Sequence, residues 1–152
     1  MHNLDHLIDM ALEEDIGPGD ITTEALVDPS MSGSGVIAAR QQLVAAGLQV
    51  GRRVFERVDP GLSVVLHAAD GDRIESGQTV MTVRGALCSI LTAERTALNF
   101  MQRLSGIATH VSEYVAAVEG KKARLVDTRK TTPGWRVLEK YAVRVGGAEN
   151  HR

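Results

Sequence analysis

Apolar residues recur at helical spacing in four stretches of the chain and at strand spacing in several shorter ones. Leu4, Leu7, Ile8, Ala11 and Leu12 share one face of a helix over 4–14, which Gly17-Pro18-Gly19 ends. The polar run Asp20-Ile21-Thr22-Thr23-Glu24 reads as a cap on a short helical turn. Val50, Val54 and Val58 recur every four residues and predict a helix over 48–58, stopped by Asp59-Pro60-Gly61. From Ala86 to Val118 the pattern stays helical, and Ser105-Gly106 is expected to divide it into two helices. A last helix, 135–145, places Val137, Leu138, Tyr141, Ala142 and Val145 on its apolar face, with Gly146-Gly147 as its cap. Residues 33–40, 62–68 and 79–83 read as strands, and 43–46 as a brief apolar run broken by Gly47. Arg124 to Asp127 is predicted to be a short buried strand, followed by a loop over 128–134, and a further strand is expected near Ala148. The order is an α+β unit to about residue 85, a helical connector, then a β-loop-α unit.

Composition narrows the picture. Apolar residues make up 43% and charged residues 24%, an ordinary balance for a chain with a core. Aromatics are only 3%, so aliphatic side chains must build that core. A single cysteine, Cys88, excludes an internal disulfide and a cysteine-based zinc site, and fits a reducing, cytoplasmic setting. No apolar run approaches the roughly 18 residues that span a bilayer, so no membrane association is expected. The N-terminus is acidic, without the basic segment of a secretory signal.

The net charge of −2 hides an asymmetry. Residues 121–152 carry nine Lys and Arg against three Asp and Glu, and all four lysines lie there. A basic segment on an acidic body points to a local anionic ligand rather than to nucleic acid.

The segment ARLVDTRKTTPGW concentrates that chemistry. In a β/α unit, ligands bind at the loop after the carboxyl end of a strand. Arg129 and Lys130 follow such a strand at once. Arginine offers a planar fork for carboxylate or phosphate, and lysine a mobile point charge. Thr131 and Thr132 add hydroxyls, and the start of the next helix adds backbone N–H groups. If a strand begins near Ala148, His151 and Arg152 reach the same rim. Arg95, inside a helical run, reads on its own as a surface arginine. No P-loop, GxGxxG or HExxH occurs, and no metal ligand set is apparent.

Three blocks carry a family resemblance: EDIGPGDITTEAL at 14–26, ERTALNFMQRLSGIAT at 94–109, and DTRKTTPGWRVLEKYAVRVGGAENHR at 127–152. Together they resemble the quinolinate phosphoribosyltransferases. The resemblance implies an α+β open-sandwich N-terminal domain, here 1–105, followed by the first β/α elements of an incomplete TIM-like α/β barrel, here 106–152. Because the family is about twice as long, it also implies that this chain is a fragment, inactive by itself. The implied reaction moves a phosphoribosyl group from phosphoribosyl pyrophosphate to quinolinate, with decarboxylation to nicotinate mononucleotide. Magnesium would accompany the pyrophosphate, with its ligands expected outside this stretch of sequence. Arg129, His151 and Arg152 would bind quinolinate, and Lys130 phosphoribosyl pyrophosphate, with Lys130 and His151 the implied catalytic pair. Arg95 would reach the neighbouring subunit's site in a homodimer.

Three alternatives stand beside this reading. One is a related phosphoribosyltransferase-like protein of molybdate-transport operons, which shares much of the pattern. Another is a non-catalytic module that binds anions and dimerises. The third, a sugar-nucleotide or RNA-phosphate binder, is disfavoured because one Trp, two Tyr and two Phe leave little for base stacking.

Overall fold

Antiparallel strands laid on one long helix form the first part of the molecule. The computed structural model describes residues 2–151, apart from the side chains at positions 2, 3, 21, 22 and 24. In chain order the elements are α1 (His2–Ile16), α2 (Ile21–Leu26), β1 (Ser32–Ala38), β2 (Leu43–Val44), α3 (Leu48–Val58), β3 (Ser63–Leu66), β4 (Arg73–Ile74), β5 (Thr79–Ala86), α4 (Leu87–Val118) and α5 (Arg136–Val145).

The three-stranded sheet has the order β1-β5-β3, both pairings antiparallel, and β2 pairs with β4 in a separate two-stranded ladder. Alternation along β5 turns Met81 and Val83 into the core and leaves Arg84 outward. A register shift between Ile37 and Ala38 breaks that alternation, so Val80 is buried beside Met81. The core gathers Val54 and Phe55 of α3, Ile8 and Leu12 of α1, and the inner face of α4. On α1 the expected apolar face is the packed one. Asp20 caps α2 by accepting from the Thr23 N–H at 3.1 Å, as the polar run suggested.

Two glycines permit close approach. A Cβ on Gly51 of α3 would meet Met101 Sδ at 2.4 Å, so glycine lets α3 lie tightly against α4. A Cβ on Gly146, just past α5, would meet the Ala108 carbonyl of α4 at 2.6 Å.

Several expectations need correction. Ser105-Gly106 does not divide the helix: α4 runs unbroken over 32 residues. A lone glycine costs a helix only about 1 kcal/mol, and packing on both sides outweighs that. Ser105 serves instead as a fastener. Its Oγ accepts from the Ala46 N–H at 3.0 Å and donates to the Ala46 carbonyl at 3.1 Å, while Thr109 Oγ1 accepts from the Val44 N–H at 2.9 Å. These bonds tie β2 and the residues after it to α4. Residues 124–127 form no named strand and are not buried as a unit. A single parallel bridge, Val126 with Glu149, joins them to the segment expected near Ala148, and Val126 is 47% exposed. Among the described residues neither segment has a second strand neighbour. Val137 of α5 faces outward rather than onto the core, whereas Leu138 and Ala142 are buried.

Candidate functional site

The site grows from the end of that single bridge. Asp127 N–H donates to the Glu149 carbonyl at 3.0 Å, and Glu149 N–H to the Leu125 carbonyl at 3.0 Å. This places Thr128, Arg129 and Lys130 beside Asn150 and His151. The Asp127 side chain, 4% exposed, then becomes a hub. Its Oδ1 accepts from Lys140 Nζ at 2.7 Å and from the His151 N–H at 2.7 Å, and its Oδ2 lies 2.6 Å from the same Nζ. With its amide nitrogen turned inward, Asn150 donates to Oδ2 at 2.7 Å and to the Lys140 carbonyl at 3.0 Å. Burial pushes the Asp127 pKa up, but the Lys140 ammonium and the His151 N–H outweigh it and hold the carboxyl below its ordinary value.

The loop over 128–134 is braced from two helices. Glu139 of α5 accepts from the Thr132 N–H at 3.1 Å and from its hydroxyl at 2.7 Å, and Arg103 of α4 reaches Glu139 at 2.8 Å. Burial raises the Glu139 pKa, and the bonds from Arg103 and Thr132 more than offset that, keeping it low. Arg136 donates to Thr131 Oγ1 at 3.1 Å and to the Arg129 carbonyl at 3.3 Å. The Lys130 N–H donates to Thr128 Oγ1 at 3.1 Å. The threonine hydroxyls expected at an anion site are thus engaged in holding the loop.

The loop exposes its cations while its acids are matched. Arg129, Lys130 and His151 are exposed. Among the described residues none of their charged or ring groups has a hydrogen-bond partner. Asp127 beside them is buried and paired with Lys140, and Glu139 with Arg103, so the rim leaves the Arg129 and Lys130 charges facing solvent. Arg95 lies elsewhere. Its Nη1 pairs with Asp15 Oδ1 at 3.0 Å, and it borders a cleft of about 270 Å³ whose other lining residues come from 15–20 and 91–92. Within one chain the structure does not bring Arg95 to the rim. Arg152 lies outside the described residues. No three His, Cys, Asp or Glu side chains converge among the described residues.

Sequence reasoning missed Lys140 and Asn150 and treated Asp127 only as the end of a strand. One signal was available: an acid closing the apolar run Leu125-Val126 is costly to bury unless a cation meets it.

A second tie runs from α5 to the first part of the chain. Tyr141 donates to Asp70 Oδ2 at 2.5 Å, and the same carboxylate accepts from the Gly47 and Leu48 N–H groups at 3.0 and 2.9 Å. Burial and the Asp70 carboxylate push the Tyr141 hydroxyl up to about 12.

The depressed Asp127 pKa has a measurable consequence. A carboxylate whose folded pKa is lowered contributes stability above its unfolded value and loses it as pH falls through the folded one. The attachment of 150–151 is therefore expected to persist down to the ordinary value of 3.8 and to fail only below it. The His151 amide resonance, followed by NMR against pH, checks this. Loss of that amide's protection from exchange well above 3.8 would contradict it.

Fold and site together define an α+β part joined through one long helix to a bridge, loop and helix that carry a cationic rim. Comparison with known proteins places that class in a family. Residues 20–105 match the quinolinate phosphoribosyl transferase N-terminal domain, and residues 107–152 match the C-terminal domain of the same family. The chain belongs to the quinolinate phosphoribosyltransferase family. It is 48% identical over 145 residues to the nicotinate-nucleotide pyrophosphorylase [carboxylating] of Mycobacterium leprae, covering 93% of this chain and 51% of that protein. It is 45% identical over 149 residues to a probable enzyme of the same name from Synechocystis, covering 98% and 50%. The crystal structure of NadC from Streptococcus pyogenes superposes with a TM-score of 0.95 at 43% identity, over 98% of this chain and 53% of that one. The chain spans about half the length of the curated relatives it matches. None of its described helices is long and apolar enough to cross a membrane.

Proposed function

We propose that this chain supplies the quinolinate-binding rim of a cytoplasmic enzyme that makes nicotinate mononucleotide. In the reaction, the pyridine nitrogen of quinolinate attacks the anomeric carbon of phosphoribosyl pyrophosphate. The carbon–oxygen bond to pyrophosphate breaks, and pyrophosphate carries away the bonding pair. The pyridinium so formed accepts the electron pair released when the 2-carboxylate leaves as carbon dioxide, and a proton then fills that ring position. Arg129, His151 and Arg152 hold the carboxylates, and Lys130 holds the phosphorylated sugar. Arg95 serves the site of a second copy in a homodimer. Its separation from the rim within one chain supports that role. The observation that carries this reading is the set of exposed side chains without partners, the cations Arg129 and Lys130 with the His151 imidazole, beside a loop braced from both α4 and α5. The names of the relatives favour this reading over that of the related protein of molybdate-transport operons.

Fixed cations stabilise charge as it shifts during transfer without reorganising at that moment. The test is to titrate the 152-residue chain with quinolinate while following the His151 imidazole by NMR, and to assay nicotinate mononucleotide. Saturable binding without turnover is expected. No response to quinolinate, or nicotinate (which lacks the second carboxylate) binding equally well or better, would refute the reading.

A further inference from the structure

We propose that Lys140 is the positioning residue for His151, fixing where that side chain stands by gripping both ends of its peptide unit. Lys140 Nζ reaches the His151 carbonyl directly, at 3.4 Å. It reaches the His151 N–H through Asp127, whose Oδ1 lies 2.7 Å from Nζ and 2.7 Å from that nitrogen. The Asn150 amide closes the group, spanning Asp127 Oδ2 and the Lys140 carbonyl. Just before it, Glu149 is held by two backbone bonds and by its ion pair with Arg124. Among the described residues, every hydrogen bond to 150 and 151 involves Asp127 or Lys140.

The energetics favour a directional role over a stabilising one. Lys140 is 17% exposed and Asp127 4%. Desolvating two charges largely offsets their attraction, so such a pair contributes little net stability that an apolar pair would not. An apolar pair, however, would hold neither the N–H nor the carbonyl of His151. Lys140 sits on α5 beside Tyr141, which Asp70 anchors, so the grip is referred to the body of the protein rather than to the loop it holds. This inference rests on the reading of His151 as a substrate-binding residue. The placement of His151 can nevertheless be measured without any substrate.

The decisive experiment compares the 152-residue chain with Lys140→Met, Lys140→Arg and Asp127→Asn. Exchange of the His151 amide is read by NMR alongside amides in the middle of α5, and quinolinate is then titrated. Lys140→Met should speed His151 exchange by about tenfold or more while α5 exchanges as before, as expected for loss of a charge-assisted bond. Lys140→Arg should restore part of the protection. Unchanged His151 exchange, or α5 loosening in step with it, would overturn the proposal, since the second result is what a merely structural pair predicts. If Lys140→Met does not fold, Asp127→Asn decides by the same two amides, because it keeps the shape and removes the charge. Failure of the unaltered chain to bind quinolinate counts against the proposed function, while the amide comparison still decides the role of Lys140. If the chain binds, quinolinate affinity should fall with His151 protection, and wild-type affinity in Lys140→Met with protection lost would also overturn it.

Discussion

Replacing Phe100 with alanine is expected to destabilise the chain by about 3–5 kcal/mol, the range for removing a buried aromatic ring. Phe100 is 1% exposed on the inner face of α4. Its ring stacks on Trp135, with centroids 4.9 Å apart and planes 21° from parallel. The chain has only two phenylalanines and one tryptophan, so small aliphatic neighbours cannot close the cavity cheaply. Small domains are stable by only about 5–15 kcal/mol, so the loss is a large share of the total. Because Trp135 is the sole tryptophan, its fluorescence reports both the lost stacking and the unfolding transition in urea. A midpoint equal to that of the unaltered chain would show that Phe100 does not join α4 to the turn before α5 in the way described.

Arg129→Lys is expected to weaken quinolinate binding by about ten- to a hundredfold, because lysine keeps the charge but loses the two-pronged bond to a carboxylate. Arg136 holds the Arg129 carbonyl, and the bridge at Val126 fixes the chain just before it. The guanidinium therefore leaves a braced backbone with its own donors free. Lys130→Ala should act mainly on phosphoribosyl pyrophosphate. Arg95→Ala should weaken quinolinate binding only through a second copy, so a mixed dimer with one intact Arg95 facing an intact rim should recover it. Calorimetric titration of each ligand against the three variants separates these roles. Wild-type quinolinate affinity in Arg129→Lys would remove Arg129 from the carboxylate site.

Elements with a strong period were legible in the residues themselves. The valines of α3 and the apolar face of α1 fall where periodicity placed them, because burial on one face is what creates the period. Residues 124–127 were harder to read. Their apolar letters suit a buried strand, but burial depends on neighbours that local sequence does not encode, and among the described residues their one strand-type pairing is the bridge to Glu149. Ser105-Gly106 misled for a related reason, since a serine that breaks a helix and one that bonds a strand from within it look alike in sequence. The exposed cations were legible because charge stands out after an apolar run. The pair that holds the His151 backbone was not, because Asp127 and Lys140 lie 13 residues apart on different elements and meet only when α5 folds back.

The long helix α4 also bears on how this architecture can be rearranged. At 1.5 Å per residue its 32 residues form a shaft about 48 Å long. Other elements dock along it in sequence. Leu87 and Ile90 lie against β1, Met101 against α3, Ser105 and Thr109 against β2, and Ala108 and Val111 against the turn after α5. The seam between the two matched family segments, at 105–107, falls in the middle of that shaft. The last fastener of the first segment and the first of the second are thus interleaved on one helical face. The two segments cannot be shuffled like beads on a string. A recombination point at the seam would part Thr109 from the Val44 N–H it holds and Arg103 from Glu139, so the ties of both segments cross it.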